Sequence, residues 1–139
     1  MIASAAYSAA RIGSVRCSRL NVIASAVSTE DALTAVNQVI ASFETRHGFS
    51  TDLQRKAAPM LARAAVLANR RGLSTRDLRS LLWGSPGLTA LIDEAVASPD
   101  EEERLAALWL QPLFADHDLA TRAERNMIMV EAGNLLRSE

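Results

Sequence analysis

Residues 70–95 read RRGLSTRDLRSLLWGSPGLTALIDEA. Two helices with a tight break between them are written into this stretch. Ser74 precedes Leu78, Leu81 and Leu82, which recur at helical spacing. A Ser in that place accepts a hydrogen bond from an orphan backbone N–H of the first turn. Asp77, three residues on, is a short version of the Glu that completes a capping box. Gly84 can take the left-handed conformation that ends a helix. Pro86, after Ser85, suits the first position of the next one. That second helix, 86–97, carries Leu88, Leu91, Ile92 and Val96 on one side.

The same punctuation extends outward in both directions. Further starts fall at Ser28 in STED, Ser50 in STDL and Ser98 in SPDE, the last followed by Pro99. Asp31 stands three residues after its Ser, and Glu101 in the same place completes a capping box. Gly48 and Gly72 mark stops. The starts are 22, 24 and 24 residues apart, but the residues between them do not match. Recurrent capping therefore explains the interval, and a repeat architecture is excluded.

Between the caps, apolar residues keep a helical period. Helix 29–47 places Leu33, Val36, Ile40 and Phe43 on one stripe, with Val39 beside it. Helix 51–71 places Leu53, Ala57, Met60, Leu61, Ala64, Leu67 and Ala68 together. Pro59 lies inside it and predicts a kink or a new start. Helix 99–114 is expected to bury Leu105, Leu108, Trp109 and Leu113, with Pro112 near its end. In helix 119–137 the run Met127–Val130 is apolar all round, which predicts a turn at the centre of the core. Alternation with a period of two is absent, so no sheet is expected. The expected fold is all-α: a compact bundle of about five or six helices over 28–139, preceded by a short helical or flexible arm, 1–27.

The chain has 139 residues, enough for one domain with a real core. About half the residues are apolar and about a fifth charged, an ordinary soluble globular balance. Fourteen Arg stand against one Lys, Lys56, a skew that fits a GC-rich bacterial genome. The single cysteine, Cys17, excludes an internal disulfide and lacks the companions of a zinc site. No apolar run reaches the ~18 residues of a membrane span.

Net charge is −1, but residues 1–79 carry +6 (eleven basic, five acidic) and residues 80–139 carry −7 (four basic, eleven acidic). Such a layout steers a partner, favours head-to-tail self-association, or brings the two halves together within the fold. Residues 1–27, MIASAAYSAARIGSVRCSRLNVIASAV, hold Arg11, Arg16 and Arg19 and no acid. Their composition resembles an organellar transit peptide and the Ser-rich leader of some secreted bacterial effectors, alongside the plainer reading of an Ala-rich helix weakened at Gly13.

The opening stretch also resembles the first helix of the Cro/repressor type of helix-turn-helix, carried by Gly72-Leu73-Ser74 and by Ser80 four residues before the turn glycine. That resemblance implies a DNA reader whose recognition helix is 86–97. Two positions depart from the pattern: Arg79 and Ser85 stand where apolar residues belong. Charge argues against the implied function. DNA affinity comes from Lys and Arg neutralising phosphates, and bases are read by Arg, Lys, Asn or Gln. Helix 86–97 has none of these. It has Asp93 and Glu94, and Asp100, Glu101, Glu102 and Glu103 follow. This acidic edge suits a basic partner, or stabilises a helix N-terminus.

On helix 51–71, Arg55, Lys56, Arg63 and Arg70 fall within one arc of roughly 100°, with Arg71 at its edge. Arg76 and Arg79 follow on the next helix. This basic face is a candidate surface for phosphates or an acidic partner, or the solvated side of a bundle helix. The aromatic interleaving that stacks single-stranded bases is missing. His47 stands at a helix C-terminus, where it meets the last carbonyls. His117 lies between Asp116 and Asp118, a loop and cap pattern rather than a metal site. No phosphate loop, nucleophile elbow or zinc spacing occurs. No catalytic, cofactor or metal residue is assigned. Trp83 and Trp109 are candidate core or interface anchors.

These readings point to a small non-enzymatic interaction or regulatory protein, an adaptor that binds a protein partner or a second copy of itself. The surfaces on offer are the basic face, the acidic edge and an apolar groove near Trp83 and Trp109. The alternatives are a nucleic-acid-binding regulator using residues 55–79, and a secreted or organelle-targeted protein addressed by residues 1–27. The expected location is otherwise cytoplasmic.

Overall fold

The computed structural model describes Ile23 and residues 26–83, 86–115 and 118–137. Six α-helices account for most of these residues, and no strand occurs among them. They are α1 (Thr29–His47), α2 (Asp52–Arg70), α3 (Thr75–Leu82), α4 (Gly87–Ala95), α5 (Glu101–Leu110) and α6 (Leu119–Arg137). A 3-10 turn, Gln111–Phe114, follows α5. The molecule is an all-α helical bundle. Among the described residues no helix is long and apolar enough to cross a membrane.

Helix α2 is the axis of the bundle and packs against α1, α5 and α6. Its composition explains this position. Ala57, Ala58, Ala62, Ala64, Ala65 and Ala68 are buried together with Met60, Leu61, Val66 and Leu67. Small side chains let three helices approach one axis closely, and Ala costs nothing in helix propensity. Arg55, Lys56, Pro59, Arg63 and Arg70 occupy the remaining side, the arc read from the sequence. The helix runs unbroken through Pro59, so no second start occurs there. Around this axis α3 packs on α6 and α4 on α5.

Most helix ends follow the written punctuation, with three corrections. Ser28 caps α1 by accepting from the Asp31 amide. Ser74 and Asp77 form a full reciprocal capping box on α3, so Asp serves there as Glu does elsewhere. Gly48 ends α1 with φ of 86°. Gly72, with φ of 68°, ends α2; its amide donates to Asn69 O and that of Leu73 to Ala68 O, a complete Schellman arrangement. The first correction is at α2, which is capped by Thr51, not Ser50. Thr51 Oγ1 accepts from the Gln54 amide while Gln54 Oε1 accepts from the Thr51 amide. The second is at α5, where Asp100, not Ser98, accepts from the Glu103 amide. Ser98 instead donates to Glu103 Oε1 and accepts from the Asp100 amide. The third is at α4, which starts at Gly87 without a side-chain cap. Gly84 and Ser85 lie outside the described residues, as do Asp116, His117 and Cys17. Asp118 takes the capping role expected of it, accepting from the Thr121 amide at 2.8 Å.

Two core expectations are overturned. Met127 and Val130 are exposed, and only Met129 of the run Met127–Val130 is fully buried. The inward face of α6 is Met129, Ala132, Leu135 and Leu136. On α5 the buried residues are Glu103, Ala106, Ala107 and Leu110, so Leu105, Leu108 and Trp109 turn outward.

Candidate interaction surface

The basic face and the acidic edge meet each other inside the fold. Arg70 Nε donates to Asp100 Oδ2 at 2.8 Å, and its Nη2 donates to the Val27 carbonyl at 2.6 Å. Arg71 bridges two acids: Nε donates to Glu103 Oε2 at 2.8 Å and Nη1 to Glu94 Oε1 at 2.7 Å. The Glu103 side chain is almost wholly buried, and its second oxygen accepts from Ser98. Hydrogen bonding to Glu103 leads the causes that raise the Arg71 pKa above its usual value. For Asp100 the amide of Glu103 is the first cause and Arg70 the second, and both hold the carboxyl below its usual value. Lys56 faces Glu124, and Arg55 pairs with Asp52 on its own helix. The opposite charges of the two halves thus fasten the end of α2 to the α4–α5 connection. This is the internal alternative offered by the charge asymmetry.

The remaining residues of these two groups are spread out. Arg76 and Arg79 lie on α3, with the Arg79 guanidinium 5.7 Å from the centre of the Trp83 ring. Asp93 and Glu101 are exposed. Glu102 Oε1 accepts from the Thr29 amide at 3.0 Å and joins the start of α1 to the first turn of α5.

The two tryptophans differ in role. Trp83 packs against α6: its indole N–H donates to the Val130 carbonyl at 3.2 Å, over the space left by Gly133. Trp109 is 40 % exposed and carries the Arg63 guanidinium 4.3 Å from its ring centre. Burial lowers the Arg63 pKa, yet a guanidinium stays charged at neutral pH. Cation–π stacking of this kind contributes about 0.5–2 kcal/mol. It also pins the indole in one orientation.

Around Trp109 the surface is apolar. Leu105 is 51 % exposed and Leu108 46 %. Positions 105, 108, 109 and 112 share one helical face. This face adjoins a groove of about 420 Å³ whose walls include Pro59, Met60, Trp109, Pro112, Leu113 and Ile128. On the other side of Trp109, Ser28, Thr29, Arg63, Glu102 and Leu105 border a second cleft of about 370 Å³. Periodicity does not choose this face, because residues 105–110 of α5 are apolar on both sides. Ala106, Ala107 and Leu110 compete with Leu105, Leu108 and Trp109, and the close approach of Ala-rich α2 decides for the smaller set. Among the described residues no group of His, Cys, Asp and Glu is placed to hold a metal ion.

No protein-family model matches the chain, and comparisons with curated proteins and with solved structures find no match. The class of molecule is therefore defined by its architecture, an all-α bundle with an outward apolar helix face.

Proposed function

We propose that this chain is a non-enzymatic protein-interaction module whose docking surface is the outer face of α5 with the groove beside Trp109. One observation carries the reading: Leu105, Leu108 and Trp109 point outward from a helix whose smaller residues serve the core. Contiguous apolar surface of this kind marks binding sites. A face with anchors at i, i+3 and i+4 beside a groove suits an apolar helix or strand from a partner. The internal pairing of Arg70 and Arg71 takes two central cations from any phosphate, which weakens the nucleic-acid reading.

The test is photo-crosslinking in the native host, with the photoreactive residue placed in turn at positions 108, 76 and 93. A discrete protein adduct from position 108, lost on Leu105→Ser, is expected. Adducts from position 76 to nucleic acid, with none from position 108, would refute the reading.

A further inference from the structure

Going beyond the docking reading, we propose that the groove beside Trp109 binds a small amphipathic carboxylate, an aliphatic or aryl acid of medium length. Its charged end meets Arg125, and its apolar body lies along Pro59, Met60, Trp109, Leu113 and Ile128.

Shape is the first support. Lys56, Pro59 and Met60 line the groove from α2, and Thr121, Glu124, Arg125 and Ile128 line it from α6. Each set is spaced three and four residues apart and so shares one helical face. Trp109, Pro112 and Leu113 complete the walls. The volume of about 420 Å³ lies within the range of small-molecule sites, about 300–1,000 Å³. Mainly apolar walls with a few gathered polar groups are also the composition of such sites. The Arg63 guanidinium, 4.3 Å from the Trp109 ring centre, holds that wall in place before a ligand arrives. A preformed wall lowers the ordering cost of binding.

Charge is the second support, and it selects the ligand. Lys56 and Glu124 neutralise each other across the groove at 3.4 Å. Arg125 is left over. Its guanidinium stands 5.1 Å from the centre of the Phe114 ring, and its Nη2 donates to the neutral Asn126 Oδ1 at 3.2 Å. Its Nε is buried and has no hydrogen-bond partner. Among the described residues Arg125 forms no ion pair. A guanidinium stays charged at any working pH, and a buried N–H without an acceptor is rare in folded proteins. A carboxylate supplies both the missing charge and charge-assisted acceptors. Thr121, one turn before Arg125 on the same wall, adds a hydroxyl donor. A neutral apolar ligand leaves the cation unmatched, and a cationic one is repelled.

The other clefts lack this combination. Across Trp109, Arg63 already faces Glu30 and Glu102. The cleft at Thr89 and Gln111 holds Asp93 and no cation. The cleft that shares Arg125 and Phe114 has about 200 Å³, below the range of ligand sites of about 300 Å³ and more.

The test is titration of the isotope-labelled full chain with hexanoate, octanoate and decanoate, each below its micelle threshold, followed by nuclear magnetic resonance. The Trp109 indole and Ile128 methyl signals are expected to shift saturably while the Trp83 indole holds. Affinity is expected to rise by up to about fourfold with each methylene, the transfer free energy of one buried CH₂. Octanol and octylamine, the same chain without charge and with the opposite charge, should bind at least about tenfold more weakly, as should octanoate to Arg125→Gln. Octanol or octylamine binding as tightly as octanoate would overturn the proposal. So would unchanged affinity in a folded Arg125→Gln, affinity independent of chain length, or shifts centred on Trp83. If Arg125→Gln does not fold, the comparison of octanoate with octanol on the parent chain decides. If octanoate fails to bind while position 108 still gives its protein adduct, the ligand site fails and the docking surface stands.

Discussion

Replacing Gly133 with Ala should destabilise the protein, although the same change in an ordinary helix stabilises it. Gly133 lies within α6, where Gly costs about 1 kcal/mol relative to Ala. A Cβ added there would sit 2.2 Å from Trp83 Nε1, 2.6 Å from Cδ1 and 2.9 Å from Cε2. No real carbon tolerates that approach, so the indole must leave its seat on α6. It then gives up the bond to the Val130 carbonyl and its packing over the helix. Overpacking of this kind costs about 1–3 kcal/mol, and a hydrogen bond contributes about 0.5–1.5 kcal/mol. Setting these against the propensity gain leaves a net loss of about 1–2 kcal/mol. In a Trp83→Ala background the obstacle is gone, and the same substitution should stabilise by about 1 kcal/mol. The sign change is the discriminating result. Urea unfolding followed by circular dichroism at constant m-value measures all four corners of the cycle. Equal stabilisation by Gly133→Ala in both backgrounds would refute the packing of Trp83 on α6.

Three further outcomes follow from the polar contacts and caps. Arg71→Ala strands the buried Glu103 carboxylate and should cost about 3 kcal/mol, and adding Glu103→Gln should recover part of that; a loss within experimental error in urea unfolding would contradict the pairing. The Asp100 carboxyl titrates below its usual value of 3.8 in the folded state, so its contribution is complete above that pH and disappears as pH falls through the lower folded value. The melting temperature should accordingly drop more gently below pH 4 in Asp100→Asn than in the parent, and parallel acid limbs would contradict this. Thr51→Ala should cost about 1 kcal/mol through lost capping, whereas Glu101→Ala should stay within about 0.5 kcal/mol because Glu101 belongs to no capping box; thermal melts of both variants check the assignment.

The sequence by itself determined the helices. Capping chemistry is local: Ser28, Ser74 and Asp118 bond amides within three residues of themselves, and Gly48 and Gly72 supply a backbone conformation other residues resist. At α2 and α5 the cap is not the Ser read from the sequence but Thr51, one residue further on, and Asp100, two residues further on, a shift of register that composition does not contain. The arc of Arg55, Lys56, Arg63 and Arg70 was also legible, because helical geometry alone places those side chains on one side.

Only the tertiary structure decided which apolar side of α5 and α6 faces inward. The stretches 105–110 of α5 and 127–130 of α6 are apolar all round, so periodicity offered two answers and the Ala-rich surface of α2 selected the closer-packing one, leaving Leu105, Leu108, Met127 and Val130 outside. The fate of the charges was likewise non-local. Arg70 and Asp100 lie 30 residues apart, and Arg71 and Glu103 lie 32 apart. Their attraction is felt only once helix packing has brought them together, because a Coulomb interaction depends on distance in space and not along the chain.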